Sequence, residues 1–381
     1  MSIRLNAATL LAVSLLFVSC SNTSSESAQS TNYTSVDSTA YAEGFRLTSS
    51  PEGIRLLTIS DPQHSGTEVY RYALVPKGRD IDASLIPEGY TPIKVPVERI
   101  ICMTSLQLSN FINLGEERRV VGITSTRHLF NDSIKRQIKE GHTAKIGIEG
   151  SFDTETVLAL DPELILISPF KRGGYEGLRE SGVPMMPHLG YKETTPLGQA
   201  EWVKLVGILT GREDKARDNF GRICVRYDSL ASIAQSASSH PVVMSGEFRG
   251  GNWYTPGGQS FLARLINDAG AEYFLKDNER SGGVTLDFET VYSQTENADY
   301  WRIVNSYEGD FSYKALLDQE PRYGDFKAFR NHGVVYCNMR TRPFYERMPM
   351  EPDNVLADLI HIFHPELLPD HTPVFYTLLN N

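Results

Sequence analysis

Two carboxylates stand in matching settings. Glu155 lies in SFDTETVLALDPELILIS, residues 151–168, and Glu289 lies in LDFETVYSQTENADYWRIV. In each, apolar spacing predicts a short helix leading into a strand, with the Glu on the first helical turn. The helix dipole favours a carboxylate there by about 0.3–1 kcal/mol, so either one alone needs no function. One in each half of the chain carries more information. Two halves would then each present one acidic knob.

Aromatic and arginine side chains gather in the stretches that follow strand-like runs. PFKRGGY follows ELILIS and carries Phe170, Arg172 and Tyr175; Leu189-Gly190-Tyr191 follows VPMMPH. RGGNWYTPGG continues from PVVMSGEF with Arg249, Trp253 and Tyr254, and RTRPFYER follows GVVYCNM with Arg342. Flat aromatic surface suits a large planar or greasy chelate, and arginine suits its carboxylates or anionic metal-coordinating oxygens. The four glycines of RGGNWYTPGG predict that Trp253 and Tyr254 are presented rather than buried.

Other chemistries fit less well. That glycine-rich stretch lacks the Gly-Lys-Ser/Thr ending of a phosphate loop. No Gly-x-Ser-x-Gly occurs, and position suggests no Ser–His–acid set. His128, His188 and Glu247 fall near strand ends, where a transition metal could be held directly. His128 or His188 could also accept a porphyrin proton in a membrane-anchored metal chelatase.

The elements that must position these residues alternate. VERIICM, RVVGIT, ELILIS and VPMMPH read as strands, separated by the helices TSLQLSNFINLG, DTETVLAL and GYEGLRESG. PVVMSGEF, DYWRIVN and GVVYCNM repeat the plan with QSFLARLINDAG, SYKALLDQ and DNVLADLIHIF. Such alternation predicts parallel sheets covered on both faces. Between the halves, Ala216, Phe220, Ile223, Tyr227, Leu230 and Ala234 step at helical spacing through residues 212–235, one apolar face of a single long helix. A rod of that kind would limit lobe closure to small angles. The predicted fold class is α/β, with two Rossmann-like α/β lobes joined by one long backbone helix and a short β-rich N-terminal preamble. The divisions are 41–95 for the preamble, 96–210 for the N-terminal lobe, 211–237 for the helix and 238–381 for the C-terminal lobe.

The chain has 381 residues and a formal net charge of −10, which argues against nucleic acid as a partner. Arg4 precedes an apolar run over residues 7–18, the length of a signal-peptide core. Phe-Val-Ser-Cys follows and resembles a bacterial lipobox, with Phe17 where Leu is usual. Residues 1–19 then form a signal peptide, Cys20 is lipidated, and the Ser/Thr-rich residues 20–40 form a flexible tether. The expected location is periplasmic, held to a bacterial envelope membrane by the lipid alone. Cys102, Cys224 and Cys337 show no paired spacing; Cys102 and Cys337, in strand-like runs, read as buried free thiols, with one disulfide left open.

Lipobox, lobe, long helix and lobe together resemble the helical-backbone (class III) periplasmic substrate-binding proteins of ABC importers for ferric siderophores, haem or cobalamin. The resemblance covers residues 97–366 and rests on DTETVLALDPELILIS, on LDFETVYSQTENADYWRIV and on the ending PDNVLADLIHIFHPEL. Asp153 stands where the family has Asn. The resemblance implies a monomeric receptor that captures a small-molecule metal chelate, an iron chelate or corrinoid, with no resident cofactor and no chemistry on the ligand. It implies that Glu155 and Glu289 dock on an ABC permease dimer with its ATPase. By the general rule for two-lobed α/β proteins, the ligand lies beyond the strand carboxyl ends, between the lobes.

Overall fold

Ala216, Phe220, Ile223, Tyr227, Leu230 and Ala234 are the buried residues of one helix, Glu213–Ala234, of 22 residues. At 1.5 Å per residue it is about 33 Å long. Its ends hold different lobes. Lys215 Nζ donates to the Leu114 carbonyl at 2.7 Å, and Asn219 Nδ2 to Asn113 Oδ1 at 2.7 Å, both in the first lobe. Tyr227 Oη donates to Asp268 Oδ2 at 2.8 Å, and Arg226 pairs with Asp353 at 2.7 Å, both in the second. The helix Val203–Thr210 packs against it. A Cβ on Gly207 would come within 2.6 Å of the Ala216 Cβ, so glycine permits the approach.

The computed structural model describes residues 34–35 and 39–380, apart from residues 51, 65, 67, 68, 80, 81, 149, 150 and 170–174. The signal peptide, most of the tether and Cys20 lie outside the described residues.

The first lobe is built on a parallel sheet in the order Met185–Pro187, Leu164–Ile167, Ile100–Cys102, Val120–Ile123, Ala144–Lys145. Its central strands are buried on both faces, hence their unbroken apolar runs. The second lobe repeats this with Glu272–Tyr273, Val242–Ser245, Tyr300–Asn305 and Val334–Asn338, and a C-terminal strand, Thr377–Leu378, adds antiparallel to the last. A separate antiparallel sheet joins Glu247–Arg249, Asn252–Pro256 and Gly283–Leu286. The helix Pro352–Phe363 closes the fold against the long helix. Its Asp358, fully buried, accepts the backbone N–H groups of Val374, Phe375 and Tyr376 at 2.6–2.9 Å, and so pins the chain's last strap.

Residues 34–95 form a five-stranded sheet. Phe45–Ser49, Arg55–Ile59 and Tyr70–Pro76 run antiparallel, and Thr91–Val95 lies parallel to the last. Phe45, Leu47, Leu57, Ile59, Tyr72 and Leu74 join one core cluster with Trp202, Leu205 and Leu209 of the first lobe. Two carboxylates bind its entry segment. Glu201, fully buried, accepts the N–H groups of Ala40, Tyr41 and Ala42 at 2.8–2.9 Å, while Lys204 Nζ donates to it at 2.6 Å. Glu193 accepts the N–H groups of Glu43 and Gly44 and the indole N–H of Trp202. Arg55 adds a bidentate pair with Glu213 at 2.7 Å, joining the sheet to the start of the long helix. Among the described residues, no helix is long and apolar enough to cross a membrane, and Cys102, Cys224 and Cys337 are free.

Two outcomes follow. Glu201→Ala leaves three backbone donors and one ammonium without their acceptor, a loss of about 3 kcal/mol. Denaturant unfolding reads the loss, and hydrogen exchange should accelerate at residues 40–42. His188, buried with its ring centroid 4.6 Å from that of Trp202, has a pKa pushed down to about 4 by burial. The unfolded chain takes up the proton first, near pH 6.5, so stability falls as pH drops from 6.5 towards 4, by about 3 kcal/mol at most. His188→Phe should flatten that part of the pH profile of denaturant unfolding.

Candidate ligand cavity and acidic knobs

A cavity of about 420 Å³ lies between the lobes, within the size range of small-molecule sites. Leu106 and Tyr191 face it from the first lobe, Phe261 and Arg302 from the second, Phe344 from the short helix Phe344–Arg347, and Tyr376 from the C-terminal strap. Arg302 sits in the middle of Tyr300–Asn305, where alternation turns Trp301 and Ile303 into the lobe's core and leaves Arg302 on the other face. Its Nε and Nη2 donate to Tyr376 Oη at 2.9 and 2.7 Å, and Nη1 to Ser245 Oγ at 3.4 Å. Burial pushes the Tyr376 phenol up, so it stays neutral. Among the described residues no carboxylate pairs with Arg302. Arg302 is half-buried and hydrogen-bonded only to neutral oxygens, with the Glu247 carboxylate acting on it through space, so its desolvation is only partly offset and it retains attraction for an anion. Asp358 holds this arrangement from behind, since it fixes the backbone of Tyr376.

Two larger hollows, about 630 and 760 Å³, lie elsewhere. Their charged groups are already answered, as in Arg264–Asp268, Lys276–Glu272 and Arg212–Glu116. Neither offers a buried cation without a carboxylate.

Of the residues expected to meet ligand, Tyr191 lines this cavity, its hydroxyl donating to the Pro169 carbonyl at 3.3 Å. Trp253 does not. It is fully buried among Phe288, Trp301, Tyr323 and Phe326, and its indole N–H donates to the Ser245 carbonyl at 2.9 Å. The glycines explain the correction. Gly250 and Gly251, with φ of 58° and 85°, form the turn of a hairpin. Strand alternation then sends Trp253 inward and Tyr254, 53% exposed, outward. Tyr175 is also buried rather than presented, with its hydroxyl on the Ser168 carbonyl. Arg249 pairs with Glu247 at 2.8 Å, and Arg342 donates to the Val374 carbonyl at 2.6 Å, holding the strap instead of facing the cavity. Phe170 and Arg172 lie outside the described residues.

The candidate metal ligands are dispersed among other partners. His128 Nε2 lies 3.3 Å from Ser306 Oγ across the lobes, His188 packs on Trp202, and Glu247 is engaged by Arg249. Among the described residues no three His, Cys, Asp or Glu side chains are grouped to hold a metal ion.

The acidic knobs share one local design. Asp153 caps the helix Thr154–Ala159 by accepting Thr156 N at 2.9 Å and Thr156 Oγ1 at 2.6 Å. Asp287 caps Phe288–Thr295 by accepting Thr290 N and Oγ1, both at 2.7 Å. These bonds hold both cap carboxyls below their usual range. Asp-x-Glu-Thr therefore occurs once per lobe and places Glu155 and Glu289 second in their helices, both exposed. They differ in one respect. Glu289 accepts from Arg322 Nη1 at 3.1 Å, while Glu155 has no ion pair among the described residues.

Known proteins resemble this chain in sequence or in fold. An uncharacterized lipoprotein of Methanocaldococcus jannaschii is 24% identical over 309 residues, 77% of this chain and 71% of the relative. A periplasmic heme binding protein from Pseudomonas aeruginosa superposes with a TM-score of 0.59 at 22% identity, covering 75% of this chain and 99% of the other. A protein of an ABC-type Fe3+-hydroxamate transport system from Saccharomonospora viridis gives 0.57 at 18% identity, covering 71% and 94%. At such identities the structural likeness shows the fold alone. Residues 100–341, more than half of the chain, match a family of solute-binding, non-enzymatic transport components, and the chain belongs to that family, the periplasmic binding proteins.

Proposed function

We propose that the protein is the lipid-anchored, monomeric receptor of an ABC importer, and that it captures an iron chelate or corrinoid bearing anionic oxygens in the interlobe cavity. The observation that carries this reading is Arg302, a cation in the cavity wall with two neutral hydroxyls for company. Tyr191, Phe261 and Phe344 add flat apolar surface beside it, the pairing that a carboxylate-bearing chelate requires. Heme and Fe3+-hydroxamate receptors among the structural neighbours support the substrate class, and the lipoprotein relative supports an acyl anchor at Cys20. Glu155 and Glu289 are the docking carboxylates for the two permease subunits, a role that their shared caps and exposure support.

Calorimetry with haemin and with ferric citrate tests the cavity. At least one should bind the wild-type protein, and Arg302→Met should weaken it tenfold or more, about 1.4 kcal/mol or greater. Binding that survives the change unaltered excludes the assignment. Docking is tested in cells. Glu155→Arg combined with Glu289→Arg should abolish uptake of the same chelate while the purified variant binds it normally. Equal loss of binding and uptake would remove the docking role.

A further inference from the structure

Residues 39–95 precede the family match at 100–341, yet one of their turns reaches the cavity. Gln63 lines it together with Arg302. The Gln63 side-chain oxygen lies 3.6 Å from the point where a Cβ on Gly282 would stand, so a turn fastened to the first lobe abuts the second at the cavity rim. Asp61 organises the turn. Its carboxylate accepts the Gln63 N–H at 2.9 Å, meets the His64 ring at 3.3 Å and takes the Lys192 ammonium. Burial pushes the Asp61 carboxyl up, but the bonds from Lys192 and Gln63 outweigh it and hold the group below its usual range.

The anchor is itself part of the cavity. Lys192 and Glu193 both line it, and Glu193 also grips the preamble backbone at Glu43 and Gly44. One short segment of the first lobe thus faces the cavity on one side and fastens the preamble on the other. The Gln63 side-chain amide has no hydrogen bond among the described residues. Half-buried and lining the same cavity as Arg302, it keeps both a donor and an acceptor for an occupant.

We propose that the Asp61–His64 turn is a selectivity-determining wall of the cavity, with the Gln63 amide hydrogen-bonding the polar periphery of the anionic chelate held on Arg302. This rests on the reading of the cavity as the ligand site. The preamble then belongs to the recognition surface as well as to the scaffold.

Opposite charges at position 63 separate contact from mere structural support. Haemin and ferric citrate are titrated into wild type, Arg302→Met, Gln63→Glu and Gln63→Lys at one ionic strength. For a probe that Arg302→Met releases, Gln63→Glu should weaken binding about tenfold and Gln63→Lys should tighten it by a similar factor. Unchanged affinity in both Gln63 variants, or equal weakening by both signs of charge, overturns this inference while leaving the cavity assignment standing. Failure of wild type to bind either probe, or binding indifferent to Arg302→Met, overturns the cavity assignment and this inference with it.

Discussion

One apolar stripe on the helix Glu213–Ala234 sets the spacing on which everything else depends. Its first half bonds to the first lobe and its second half to the second, so the gap between lobes is fixed by a rigid element and not by a flexible linker. A continuous helix resists bending because each turn is held by its own backbone bonds. The cavity walls and the two acidic knobs inherit that fixed geometry. Contacts across the rim reinforce it, as where the Phe130 N–H meets the Glu346 carboxylate at 2.8 Å.

Within that frame, buried carboxylates perform long-range work. Glu201 and Glu193 tether the entry of the preamble, and Asp358 tethers the C-terminal strap. Each spends its charge on backbone N–H groups far away in the chain. The contrast with Arg302 is informative. Glu201, Glu193 and Asp358 find several donors apiece, while Arg302 hydrogen-bonds only to hydroxyl oxygens. Stability alone does not favour that imbalance. On the proposed reading, the imbalance leaves a place for an anionic ligand.

The legible parts of the sequence were those with a one-sided pattern. Ala216 to Ala234 repeat on one face against a polar remainder, so both the helix and its buried face could be read directly. The short unbroken apolar runs of Ile100–Cys102 and Leu164–Ile167 marked central strands for a different reason, burial on both faces between turn signals. Helices Pro196–Glu201 and Val203–Thr210 left no such mark, because nearly every residue in them is buried and no polar face interrupts the run. Trp253 misled because glycines nearby suggested exposure, whereas two of them serve the turn and strand alternation decides the rest. Arg302 was invisible as a site residue. Its meaning comes from Tyr376, and nothing local to DYWRIVN announces that partner.

The ion pair between Glu289 and Arg322 makes the two knobs unequal. Arg322 also stacks 3.9 Å above the Phe288 ring and holds Glu320, so it is well seated. Among the described residues no cation sits on the exposed Glu155 carboxylate, so one arriving there displaces none of them. One arriving at Glu289 must trade places with a resident, and the net gain is only the difference between two similar bonds. Any partner that engages both therefore meets a firm grip on one half and an exchangeable one on the other, an imbalance suited to letting go.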